Sequence, residues 1–263
     1  MEGQWAIHDI DDVRAAKRAL EYPSFMARVT DLLGKPITAG LKRLPPDWNE
    51  RIGAIAHAAL MQALALAMRT TRSNRGMHSS DVLHKILVTA SGMAGGSLGI
   101  TTATIELPIS TCIMLRSIID IARHEGHDVT MLEVRLSCLE VFALGSSQQN
   151  DDSSQEGYWV VRAALAKEVA DAIKHVASKG LSKRGAPALV RLISTVAARF
   201  SVVVTEETAA KLVPVVGAAA GGAINLLFME HFQTVAHGHF TIRRLEMKYG
   251  IEAVRKKYDE LRV

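Results

Sequence analysis

The stretch from Ile86 to Asp120, ILVTASGMAGGSLGITTATIELPISTCIMLRSIID, constrains the fold of this chain more than any other. It carries no charge from Ile86 to Ile105 and passes through Gly92, Gly95, Gly96 and Gly99 before meeting Glu106 and Pro108. Leu212 to Met229, LVPVVGAAAGGAINLLFM, has the same character. A glycine inside a helix costs about 1 kcal/mol relative to alanine. The GxxxG pairs Gly92/Gly96, Gly95/Gly99 and Gly217/Gly221 therefore need an offsetting gain, which close approach of helix backbones across a small-residue groove supplies. A tightly packed soluble core and a bilayer both allow such an approach. Pro214 and Asn225 weigh against a membrane span in the second segment, as does the Thr, Ser and Gly content of the first. The expectation is two closely packed helices meeting at a polar hinge, Glu106-Leu107-Pro108, with an amphitropic hairpin as the alternative.

The remainder of the chain points to an all-α fold. Aromatics are only 5% of the 263 residues, and the apolar mass is Ala, Leu, Val and Ile, which lets helices pack closely. With 48% hydrophobic and 22% charged residues, neither disorder nor a polytopic membrane protein fits the composition. Helices are expected from Asp9 to Glu21, from Phe25 to Leu44 with an interruption at Pro36, and from Asp47, as N-cap, to about Arg69. The interior of that third helix, IGAIAHAALMQALALAM, is apolar almost all round, so it packs on several sides or meets a membrane. Gly126 ends the helix containing Arg116, and Thr130 is the expected cap of the next. Further helices cover 157–178, 187–200, the second glycine segment with a polar continuation to Lys248, and 251–261 after Gly250. Val202-Val203-Val204 reads as a helix end or connector. The expected organisation is residues 1–80 packed on a helical core of 81–250, with 251–263 as a final helix, all in one structural domain.

Charge and cysteine usage limit the partners. A net charge of +4 predicts solubility and weak attraction to anions rather than a nucleic-acid site. Cys112 and Cys138 sit in apolar helical patterns and read as free buried thiols of a reducing compartment. The acidic start, MEGQWAIHDIDDVRAAK, lacks the apolar core of a cleavable signal. From Ala172 to Thr205 there is no acid, whereas Lys174, Lys179, Lys183, Arg184, Arg191 and Arg199 supply positive charge. That interval is either a solvated basic face or a contact for an anionic membrane surface, where each basic residue near the lipid contributes about 1 kcal/mol. With one aromatic in the interval, Phe200, it does not suit nucleic acid.

Three runs carry a family resemblance: the glycine run into IELPISTCIMLRSIIDIARHEGHD, then GYWVVRAALAKEV, then VPVVGAAAGGAINLLFMEHFQTVAHGHFTIRRLEMKYG. Together, over roughly 81–250, they resemble the EcsC family, a bacterial family named for its association with an ABC-transporter operon. The family's aspartate before Leu-Pro is Glu106 here. Gly157, Tyr158 and Arg162 match its Gly-Tyr…Arg feature, and Asn225, His239, Phe240, Arg243, Arg244 and Leu245 match its C-terminal pattern. The resemblance implies an all-helical cytoplasmic protein with membrane association. Together with the two glycine-rich apolar segments and the basic interval, it leads to the expectation of a protein peripheral to the inner face of the cell membrane, with a lipid or a membrane protein, such as a transporter-linked one, as partner. It assigns no reaction, cofactor or catalytic residue.

Glu106 is the one candidate for chemistry. As a structural residue it is a first-turn helix acid or a buried carboxylate paired with an arginine such as Arg162. As a functional residue it is a general acid/base in a hydrolase or small-ligand site, with Arg116, Tyr158, Arg162, Asn225, His239 and Arg243 as the candidates for holding an anionic ligand. Arg116, Asp120 and His124 are spaced for ordinary intrahelical pairing. His237 and His239 point about 200° apart on a helix, and with His231 they form no ligand spacing, so no metal or cofactor is expected. No phosphate loop or nucleophile elbow is present in the sequence, and nothing in it sets the oligomeric state.

Overall fold

The computed structural model describes residues 5–21, 24–34, 37–70, 103–146, 154–179, 187–213 and 218–262. The described residues form ten α-helices and no strand: α1 (Ile7–Glu21), α2 (Phe25–Leu33), α3 (Thr38–Leu41), α4 (Trp48–Thr70), α5 (Ala103–His124), α6 (Leu132–Leu144), α7 (Ser154–Lys179), α8 (Pro187–Lys211), α9 (Ala218–Tyr249) and α10 (Ile251–Glu260). Gly92, Gly95, Gly96, Gly99 and Gly217 lie outside the described residues, so the three GxxxG pairs do too.

Local chemistry accounts for most helix boundaries. Ser24 caps α2, its hydroxyl accepting from the Ala27 amide at 3.3 Å, and Gly34 ends it in the left-handed region at φ 61°. The helical stretch from Phe25 to Leu44 is thus two pieces, α2 and α3, divided around the interruption expected at Pro36. Gly126 and Gly250, both at φ 86°, end α5 and separate α9 from α10, as their sequence positions predict. Thr130 does not cap α6. Asp128 accepts from both the Thr130 amide and its hydroxyl, forming the turn before the helix, and Met131 takes the cap position without a side-chain bond. Val202-Val203-Val204 lies inside α8, where burial of Val203 and Val204 overrides their β propensity. Pro108 lies within α5 near its start, so the described part of the expected hinge is continuous helix.

Pairwise contacts set the directions. Asn225 meets Glu106, Gln233 donates to Ser117 at 2.8 Å, and His127 donates to the Phe240 carbonyl at 3.0 Å, so α9 runs parallel to α5. Lys211 meets Glu106, so α8 runs antiparallel to both. Trp48 donates to Thr205 at 3.1 Å, which places the start of α4 beside the end of α8. Met68 at the other end of α4 accepts from Arg135 near the start of α6. α4 is therefore also antiparallel to α8 and parallel to α5, against which it packs closely. α1 runs antiparallel along α9, with Asp9 on Lys248 at 2.6 Å and Arg244 on Asp12 at 2.9 Å.

The bundle thus has two ends. At one lie Glu106, the end of α8 and the first turns of α9. At the other lie the end of α4, the α5–α6 turn, the start of α8 and the end of α9. Between them, Phe25, Phe142, Phe200, Phe228 and Phe232 form a contiguous core, with ring centroids 4.8 to 6.1 Å apart and mostly edge-to-face. Cys112 and Cys138 are free, and burial pushes the Cys138 thiol far above its ordinary range.

Gly40 in α3 is fixed by proximity rather than by its own dihedrals: a Cβ there would overlap the Ala209 carbonyl of α8. Because the obstacle is backbone, Gly40→Ala is expected to lower stability by about 1–3 kcal/mol. Urea unfolding checks this. A midpoint unchanged from the parent would show that α3 is not seated on α8 as described.

Candidate functional site

Glu106 occupies the first turn of α5, where the helix dipole favours an anion. Its Oε1 accepts from Lys211 Nζ at 3.1 Å and from Asn225 Nδ2 at 3.0 Å, joining α5, α8 and α9 at one end of the bundle. Lys211 also reaches Glu207 Oε1, one turn earlier in α8, at 3.0 Å. The three charged side chains are 10–16% exposed, so one ammonium serves two largely buried carboxylates. Burial raises the Glu207 pKa, while Lys211 opposes that rise and Glu106 adds to it. Burial works against the Lys211 charge, but the two carboxylates hold it and its pKa lies above the ordinary lysine value. Burial also lifts the adjacent Glu206 to about 7.

A second polar cluster joins α6, α7 and α9. Arg162 grips Glu246 in a two-bonded fork at 2.7 and 2.6 Å and donates to the Tyr158 hydroxyl at 3.2 Å. An arginine cannot accept, so Tyr158 spends its own proton on His239 Nδ1, 3.1 Å away. That fixes the neutral His239 with its proton on Nε2, which finds no hydrogen-bond partner among the described residues and lies 4.0 Å from Glu140 Oε2. Burial holds His239 well below the ordinary histidine range and raises Glu140. The ring thus stays neutral, and the cluster ties three helices together through Tyr158. Arg162 also lies over the Trp159 ring, 5.6 Å from its centroid.

Of the residues singled out in the sequence, only Asn225 meets Glu106. Tyr158, Arg162 and His239 converge with one another instead. Arg243 pairs with Glu133 at 2.9 Å, and Arg116 is exposed on α5. Asp120 pairs with Arg123 at 2.6 Å rather than with Arg116. His231 donates to the Gly145 carbonyl at 2.6 Å and His237 faces Glu125 at 3.7 Å, so the three histidines go to separate partners. No group of three His, Cys, Asp or Glu side chains among the described residues is placed to hold a metal. Lys174 and Arg191 are exposed at the end of α7 and the start of α8. Lys183 and Arg184 lie outside the described residues, as does the side chain of Lys179.

Sequence reasoning missed Lys211, Glu207, Glu140 and Glu246. Glu207 and Lys211 were legible as an i, i+4 pair near a helix end. Glu140, an acid within the apolar run CLEVFAL, carried the same signal as Glu106.

An all-helical bundle with a carboxylate–lysine junction at one end and a tyrosine–histidine–arginine cluster across α6, α7 and α9 is the class of protein these features define. The chain belongs to the EcsC protein family, whose model matches residues 23–245. No curated protein and no solved structure matches it significantly.

Proposed function

We propose that this chain is a membrane-peripheral helical protein that binds an anionic lipid surface and acts by binding rather than by catalysis. The observation that carries the reading is α4. Its stretch from Trp48 to Met68 is long and apolar enough to cross a membrane, yet only 39% of that stretch is buried within the bundle. Ala54, Ala58, Ala65 and Leu66 face outward where a soluble bundle ordinarily places charge. Beside it packs α8, whose first half, with the end of α7, forms the acid-free basic interval. An apolar helix edge beside basic side chains suits the boundary between acyl chains and anionic headgroups. The Glu106 junction supports binding over hydrolysis, because Lys211 and Asn225 fill the place that Arg116, Arg162 or Arg243 would need in order to hold an anionic substrate there.

Co-sedimentation with phosphatidylglycerol-containing vesicles tests this. The protein is expected to pellet at low ionic strength and to be released as salt is added, since screening at 0.1 M acts over about 10 Å. Protein that stays in the supernatant with anionic vesicles at low salt would overturn the reading.

A further inference from the structure

The contacts that set helix direction also determine which end of the bundle can meet a lipid surface. Trp48 lies against Thr205 and the two helices run antiparallel, so Leu66, near the end of α4, lies level with the first turns of α8, where Arg191 is exposed. Glu168 accepts from Thr195 at 3.0 Å, and α7 and α8 are antiparallel, which places the exposed Lys174 at that same end. Arg135 bridges Met68 Sδ at 3.3 Å and the Val129 carbonyl at 2.8 Å, bringing the α5–α6 turn and its Met131 beside the end of α4. Leu66 and Met131 are 48% and 52% exposed, so half of each apolar side chain faces solvent.

Charge makes that end selective. No acid occurs from Ala172 to Thr205. In the neighbouring turn Glu125 is paired with Arg244 and Glu133 with Arg243, which leaves Asp128, bonded only to Thr130 among the described residues, as the one carboxylate of that turn without a cation. The opposite end carries Ile109 and Leu32 as exposed apolar side chains, but there the Glu106–Lys211–Glu207 junction has two carboxylates to one ammonium, with the exposed Arg43 on the Leu212 carbonyl as the neighbouring cation, so that end has no acid-free basic face. We infer that the protein meets an anionic lipid surface end-on, through the end of α4, the α5–α6 turn and the α7–α8 end. Leu66 and Met131 enter the headgroup boundary, and Lys174 and Arg191 pair with lipid phosphates. A second copy of the chain is a poorer occupant, because it would bring the same positive charges to the contact.

This inference rests on the membrane reading but can fail separately from it. The test is binding of the full chain to phosphatidylglycerol-containing vesicles with Leu66→Glu, Met131→Glu, Ile109→Glu and Leu32→Glu, each checked for unchanged helicity by circular dichroism. Leu66→Glu and Met131→Glu are expected to weaken binding tenfold or more, while Ile109→Glu and Leu32→Glu leave it within twofold. The pair Lys174→Glu and Arg191→Glu should weaken binding and flatten its salt dependence. If the unaltered chain does not bind, the membrane reading itself falls. If it binds and Ile109→Glu or Leu32→Glu is as damaging as the first two, or none of the four matters, the membrane reading stands and the end-on orientation is overturned.

Discussion

Glu246→Ala is expected to lower the unfolding free energy by about 2–4 kcal/mol, because it leaves the largely buried Arg162 guanidinium without its carboxylate. Arg162 and Glu246 are 17% and 8% exposed, and both of their bonds are short and parallel. Their mutual hold also keeps Arg162 on Tyr158, which in turn orients His239. The damage should therefore reach His239, shifting its ring resonances as well as moving the urea midpoint. The double variant Arg162→Met with Glu246→Leu removes both charges and is expected to cost less than Glu246→Ala alone. If Glu246→Ala unfolds at the parent midpoint, or the double variant proves worse than the single, the pair is not a buried ionic tie.

The second large effect depends on pH. Burial lowers the His231 pKa to about 4, since the ring sits against Phe25 and Phe232; its hydrogen bond to the Gly145 carbonyl opposes that fall without offsetting it. The unfolded chain takes up the proton near 6.5, and the folded protein resists until about 4. Stability from this residue is thus full above 6.5 and is lost as pH falls from there to 4, amounting to about 3 kcal/mol in total. Buried glutamates act in the opposite sense. Glu206, lifted to about 7, favours the folded state at low pH and loses that contribution as pH rises through 7. The clean measurement is therefore a difference. His231→Asn should cost stability at pH 7, and the gap between it and the parent should move by about 3 kcal/mol in favour of the variant on going to pH 4. A gap that is constant with pH would show that His231 titrates normally in the folded protein.

Much of the fold could be read from local chemistry because the signals are local. Gly126 and Gly250 mark breaks that only a left-handed residue makes without strain, and the Pro- and Ser-containing stretch before Phe25 marks the next start. The valine run at 202–204 misled because propensity is weaker than the burial that a long amphipathic helix provides. The polar clusters were only half legible. Glu106 stood out as an acid in apolar surroundings, but its partners come from more than a hundred residues away, and nothing in sequence spacing distinguishes Lys211 from Arg162 as the cation that reaches it. Arg162 was visible as a motif residue. Glu246 was not, because a glutamate on an amphipathic helix ordinarily faces water and only the tertiary contact between α7 and α9 buries it.

The pairing of α1 with α9 and α10 carries a consequence for the order in which the molecule is made. Lys17 is 1% exposed, and its ammonium donates to the Tyr258 carbonyl at 2.9 Å across 241 residues of chain. Asp9 likewise depends on Lys248 and Tyr249 for its bonds. During synthesis α1 is made long before α9 and α10, which supply most of its contacts, so until they follow, its apolar face, Val13 and Ala16, can be covered only in part, by Tyr158 of α7. Contacts of such long sequence separation form late and slow the final step. α1 is thus made well before most of its cover and settles only once that cover has followed.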